Sequence, residues 1–148
     1  MSTDGHRELI AKLSIMKAFP DQLRRRIAAV FDEVSEPESL ERDAYLIHIG
    51  DQSCNDGFIL AKGSVSIRKR ISPPFKAEGP VLLGEMKQFN PNSERTADVT
   101  ALEDIEVLRF DWDRFYALLK ERVAPSEFAI FSRVLQDYSW LHFVGDDI

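Results

Sequence analysis

The chain has 148 residues, enough for one domain with its own core, and 44% of them are hydrophobic, which excludes a disordered chain. A net charge of −6 excludes broad nucleic-acid binding, which needs a basic surface to displace counterions. No apolar run nears the roughly 20 residues of a membrane span; the charged start MSTDGHRELIAKL lacks the apolar stretch of a secretory signal; and a single cysteine, Cys54, rules out an internal disulfide framework, so the expectation is a cytoplasmic protein with no nucleic-acid or membrane partner.

Leu9, Leu13, Met16 and Phe19 fall close to one helical face, predicting a helix that Pro20 interrupts. After Asp21 the spacing of Leu23, Ile27 and Val30 predicts a second helix. The basic run Arg24–Arg26 reads as its solvated face. These helices occupy residues 1–34.

From Ser35 to residue 110 the texture is that of strands. AYLIHIGD is a short apolar run closed by a turn at Gly50-Asp51. FILAKGSVSIRKR holds two strands around Gly63; in the second, Val65 and Ile67 alternate with Ser64, Ser66 and Arg68. The run Arg68–Arg70 reads as a solvated strand end. SPPFKAEGP is expected to be a loop, because its prolines cannot donate to a sheet. VLLG, RTADVTA and IEVLRF are three more short strands, and this spacing predicts a sandwich or barrel.

Helix returns at Asp111, a good N-cap with Asp113 in the first turn. Phe115, Leu118 and Leu119 share a face; Pro125 ends this helix and opens another, with Phe128, Phe131, Leu135 and Tyr138 along one side. The helices fill residues 111–141, leaving 142–148 as a tail. Helices, then strands, then helices make a single α+β domain with an antiparallel core.

The chemistry concentrates in LLGEMKQFNPNSERTADV, residues 82–99. A phosphate-binding turn needs a glycine for close backbone approach. It also needs free N–H groups at a helix start, where the dipole favours an anion. An arginine fork completes it, matching two phosphate oxygens. GEMKQF supplies the first two and Arg95 the third. Glu85 in the same pocket would repel phosphate, unless it accepts a hydrogen bond from a hydroxyl. A ligand carrying both a phosphate and a sugar hydroxyl satisfies both residues. The alternative is an ion pair between Glu85 and Arg95, or a surface pair of Arg95 with Glu94 or Asp98.

GDQSCNDGFILAKGSVSI followed by LLGEM and ERTADVTA resembles the cyclic nucleotide-binding domain family, of the type found in catabolite activator protein and kinase regulatory subunits. The resemblance runs from about Phe31 to Leu141 and rests on Gly84, Glu85, Arg95, Thr96 and Ala97, with Gly50-Asp51 and Gly63 at the family's glycine turns. It implies an antiparallel jelly-roll-like β-barrel flanked by N-terminal and C-terminal helices. It further implies that Arg95 pairs with a cyclic phosphate and Glu85 accepts the ribose 2′-hydroxyl. Backbone amides near Met86, Lys87 and Thr96 would bind phosphate oxygens, and the Thr96 hydroxyl would reach the phosphate or a guanine amino group. Residues from Tyr138 to Leu141, among them Tyr138, Trp140 and Leu141, would form a lid over the base. Three positions depart from the family: Lys87 and Gln88 stand where a small and an aliphatic residue are usual, and Asp43 where glycine is frequent.

Other chemistries find less support. His6, His48 and His142 share no ligand-like spacing, so no metal is expected, and Cys54 has no neighbouring base. Trp112 reads as core; Trp140 faces either a ligand or a neighbouring helix. No nucleophile–base pair stands out, so no catalytic residue is expected. Only seven residues follow Leu141, too few for a helix-turn-helix. The expectation is a sensor of cyclic AMP or cyclic GMP without further cofactor, acting on a protein partner or a second copy, or forming one domain of something longer. The alternative is a ligand-free scaffold for protein–protein interaction on the same fold.

Overall fold

A computed structural model describes residues 3–49, 55–69, 73–84 and 97–147, with side chains from His6 to Tyr138 within those ranges. The chain opens with α1 (Thr3–Ala11), a short 3₁₀ helix (Ser14–Ala18) and α2 (Asp21–Val34). The single helix expected before Pro20 is thus two pieces. Leu13 and Ile15 are both buried, and on an α-helix at about 100° per residue they would face nearly opposite ways. The tighter turn buries both. Arg24 is not merely solvated: its guanidinium donates to the Met16 carbonyl at 3.1 Å and the Phe19 carbonyl at 3.0 Å, closing the end of the 3₁₀ helix.

Eight strands follow: β1 (Glu36–Leu40), β2 (Tyr45–Ile47), β3 (Asp56–Lys62), β4 (Ser64–Lys69), β5 (Phe75–Glu78), β6 (Val81–Leu83), β7 (Ala97–Ala101) and β8 (Ile105–Asp111). All pair antiparallel, in two four-stranded sheets ordered β1-β8-β3-β6 and β2-β7-β4-β5. The α+β class is as the sequence predicts. The barrel is not: among the described residues the strands form two facing sheets that do not close on each other.

The stretch expected to be wholly loop contains β5, four residues set between Pro74 and Pro80. β1, which includes Pro37, also lacks a clear signal in the sequence. Both are edge strands with one partner, so proline costs them no ladder bond. The basic run at residues 68–70 divides: Arg68 is exposed, whereas Lys69 is only 9% exposed.

The period of two along each strand builds three layers. Ile59, Leu82, Leu108 and Phe110 point from the first sheet into the helices. Phe58, Leu60, Leu83, Ile105 and Val107 point the other way, against Leu46, Ile47, Val65, Val99 and Ala101 of the second sheet. On the helical side, Phe31 stacks on Phe115 at 4.1 Å between centroids, and Phe110 meets the buried Trp112 edge-on at 4.8 Å. Trp112 is core, as expected.

Asp111 ends β8 and caps α3 (Trp112–Arg122), its carboxylate accepting the Asp113 N–H at 2.7 Å. Pro125 starts α4 (Pro125–Asp147), at a helical position where a missing N–H is harmless. This helix continues to Asp147, past the expected end at Leu141, so residues 142–147 are helical and not a tail. Among the described residues no helix is long and apolar enough to cross a membrane.

Candidate functional site

Strand connectivity decides where the predicted site residues come together. Gly63, at φ 104°, joins β3 to β4, so the far ends of that hairpin, Asp56 and Lys69, lie at one end of the sandwich. β6 runs against β3 with Leu83 opposite Phe58, which delivers Gly84 to that end. β7 runs against β4 with Ala97 opposite Lys69, which delivers Ala97 to the same end from the other sheet. The two described residues that flank residues 85–96 therefore face each other across the inter-sheet space. Glu85, Met86, Lys87, Arg95 and Thr96 themselves lie outside the described residues, as does Cys54.

Gly84 has φ 87°, a left-handed conformation that favours glycine. Its carbonyl accepts the indole N–H of Trp112 at 3.3 Å. Ala97 is 8% exposed and shares its face with Val99 and Ala101, which line the inter-sheet core. On the opposite face, Asp98 accepts the Ile49 N–H at 2.7 Å and ties the exit of β2 to the start of β7. That carboxylate, weighed above as a surface partner for Arg95, has this backbone role.

Of the expected lid, Tyr138 is half-buried against the helical core, and its hydroxyl donates to the Leu82 carbonyl at 3.3 Å. Trp140 and Leu141 lie on α4, with side chains outside the described residues. Among the histidines, His6 approaches Asp32 at 3.6 Å and His48 stacks on Tyr45 at 4.3 Å. Among the described residues no group of three or more His, Cys, Asp or Glu side chains is placed to hold a metal ion.

Two features of this end escaped sequence reasoning. Arg109, on the inner face of the first sheet, bonds Glu38 at 2.7 Å and Asp56 at 2.9 Å and lies 4.8 Å over the Phe58 ring. Burial works to lower its pKa, but the bonds to Glu38 and Asp56 outweigh it and hold the guanidinium above its ordinary value. Lys69 is the second feature; the alternation Val65, Ile67, Lys69 was its only signal.

The family model described as "Cyclic nucleotide-binding domain" matches residues 37–122, more than half of the chain. Comparison with curated proteins finds no match. Among solved structures, the regulatory domain of Toxoplasma gondii PKA with cAMP is similar at a TM-score of 0.63 and 15% identity, covering 80% of this chain and 45% of that one. This chain thus spans less than half the length of that relative. PKAR CBD2 with bound Sp-2Cl-cAMPS is similar at a TM-score of 0.66 and 20% identity, covering 100% and 97%. The sensor domain of the transcriptional regulator DNR from Pseudomonas aeruginosa gives 0.62 and 16%, covering 85% and 86%. At these identities the structural likeness is one of fold.

Proposed function

Because the chain belongs to the cyclic nucleotide-binding domain family, we propose that it is a single-domain, non-enzymatic regulatory module that binds cyclic AMP or cyclic GMP. The observation that carries this reading is the convergence of Gly84 and Ala97, one from each sheet, at one end of the sandwich. They bracket the sequence in which Glu85 and Arg95 stand at the family's positions. In this reading Arg95 pairs with the cyclic phosphate and Glu85 accepts the ribose 2′-hydroxyl. Backbone N–H groups of Met86, Lys87 and Thr96 bind phosphate oxygens, and Tyr138, Trp140 and Leu141 cover the base. Two of the similar structures hold cAMP or its analogue Sp-2Cl-cAMPS, which supports a ligand of that chemistry.

The ligand acts by binding two arrangements of the terminal helices unequally, and a cytoplasmic protein partner or a second copy reads the difference. Isothermal titration with each nucleotide tests this. We expect a dissociation constant on the order of micromolar or tighter, about −8 kcal/mol; no heat at millimolar nucleotide would end the reading. Arg95→Leu should weaken binding by about 2–5 kcal/mol, the cost of removing one partner of a buried charge pair. Unchanged affinity would place the phosphate elsewhere.

A second reading, a ligand-free scaffold, is favoured by Lys87 and Gln88, where the family has a small and an aliphatic residue. It predicts silence in the titration and a direct bond between Glu85 and Arg95 in a crystal of the unliganded protein.

A further inference from the structure

We propose that Lys69 is a second cation of the phosphate site, on the wall opposite Arg109; this rests on the nucleotide-binding reading above and deepens it. The period of two along β4 sets the side chain's direction. Val65 and Ile67 both pack into the inter-sheet core, so Lys69 shares their inner face while Arg68 points outward and is exposed. Lys69 is nonetheless the last residue of its strand, at the mouth of that space, and only 9% exposed. A four-carbon stem can lie along the apolar floor and carry its ammonium toward the opening.

The register gives the ammonium its neighbour. Lys69 stands opposite Ala97, whose side chain is also inward. Directly opposed residues bring their Cβ atoms to about 4.5–5.5 Å. The chain enters Ala97 straight from Arg95 and Thr96. Lysine therefore sits beside the strand that follows the phosphate-binding pair.

Charge on the facing wall separates the two sides. Arg109 is held there by two carboxylates, Glu38 and Asp56, so that cluster of one positive and two negative groups has a formal charge of −1. It repels an anion. A phosphodiester, which carries one negative charge, is pushed toward the second sheet, where Lys69 adds attraction. Arg95 supplies direction through its planar fork; Lys69 supplies a point charge with no preferred angle. The ligand class is an anionic cyclic phosphodiester, and Lys69 adds to its affinity without choosing its base.

The test is isothermal titration of cyclic AMP and cyclic GMP at low and high salt, with the intact chain and with Lys69→Met, Lys69→Gln, Lys69→Arg and Arg95→Leu. Both neutral variants should bind about tenfold more weakly, equivalent to about 1.4 kcal/mol, and lose part of the salt dependence. Lys69→Arg should stay within about threefold of the parent, since its charge is kept. If the parent binds neither nucleotide, the reading of the site itself fails. If the parent binds and loses affinity with Arg95→Leu, while a folded neutral variant of Lys69 keeps the parent's affinity or its full salt dependence, only the role of Lys69 is overturned. Circular dichroism identifies which neutral variant is folded. Should neither fold while Lys69→Arg does, a parent affinity that does not fall with salt would overturn the role.

Discussion

At Gly57 there is no room for a methyl group. A Cβ built there would come within 2.7 Å of Phe110 Cε2 and 2.8 Å of the Trp112 indole nitrogen. Both rings are held in the aromatic cluster under the helices. Gly57→Ala should therefore destabilise the fold by about 1–3 kcal/mol, as overpacking does. Urea unfolding measures this; a change below half a kcal/mol would mean that the Phe110 ring turns aside freely. Nothing in DGFILAK announces this requirement, because the rings that create it are some fifty positions further along the chain. Arg95 and Glu85 are the opposite case. Their order, spacing and neighbours are legible as a motif, whereas Lys69 hides in RKR, a run that reads as solvated. Only its place in a two-residue period gives it away. Asp43 also shows in the backbone what its position implied: where the family often has glycine, φ is 75°, a region that aspartate tolerates better than most residues.

Among elements, strong local chemistry was readable and edge position was not. Asp111 serves two elements at once, closing β8 and capping α3. Asp111→Ala should cost about 0.5–2 kcal/mol, with Asp111→Asn retaining most of the stability because its amide oxygen can still accept the Asp113 N–H. Equal losses for both substitutions would show that the charge, and not the cap bond, matters. The strands with alternating apolar residues were visible, as were the helices marked by Asp111 and Pro125. β1 and β5 were not, because a strand with a single neighbour can carry or adjoin proline and needs little apolar content. The 3₁₀ helix was missed for another reason. Its geometry answers to burial of Leu13 and Ile15 together, and to Arg24 reaching back from the next helix, neither of which is a local signal.

At the scale of the molecule, one helical layer covers one face of the first sheet, and its bonds to the rest are mostly apolar. Exposed ion pairs join α2 to each other helix: Arg7 with Asp32, Arg122 with Glu33 and Arg26 with Glu127. Each is worth little alone. Alkaline pH probes the packing more directly. Burial pushes the Tyr116 phenol from 10.0 up to about 12 in the folded protein. The unfolded chain gives up that proton at the lower pH, so the contribution is complete below pH 10 and is lost as pH rises toward 12. Unfolding monitored across this window should show stability falling more steeply for the parent than for Tyr116→Phe. Parallel curves would mean that the phenol ionises in contact with water.

Two long polar contacts described above meet on one short element. Trp112 of α3 holds the carbonyl of Gly84, and Tyr138 of α4 holds that of Leu82, so both C-terminal helices grip the three-residue strand β6 and the glycine after it. That ribbon is a common tether. A pull on its free end is shared at once between two levers, and neither can slacken without loading the other.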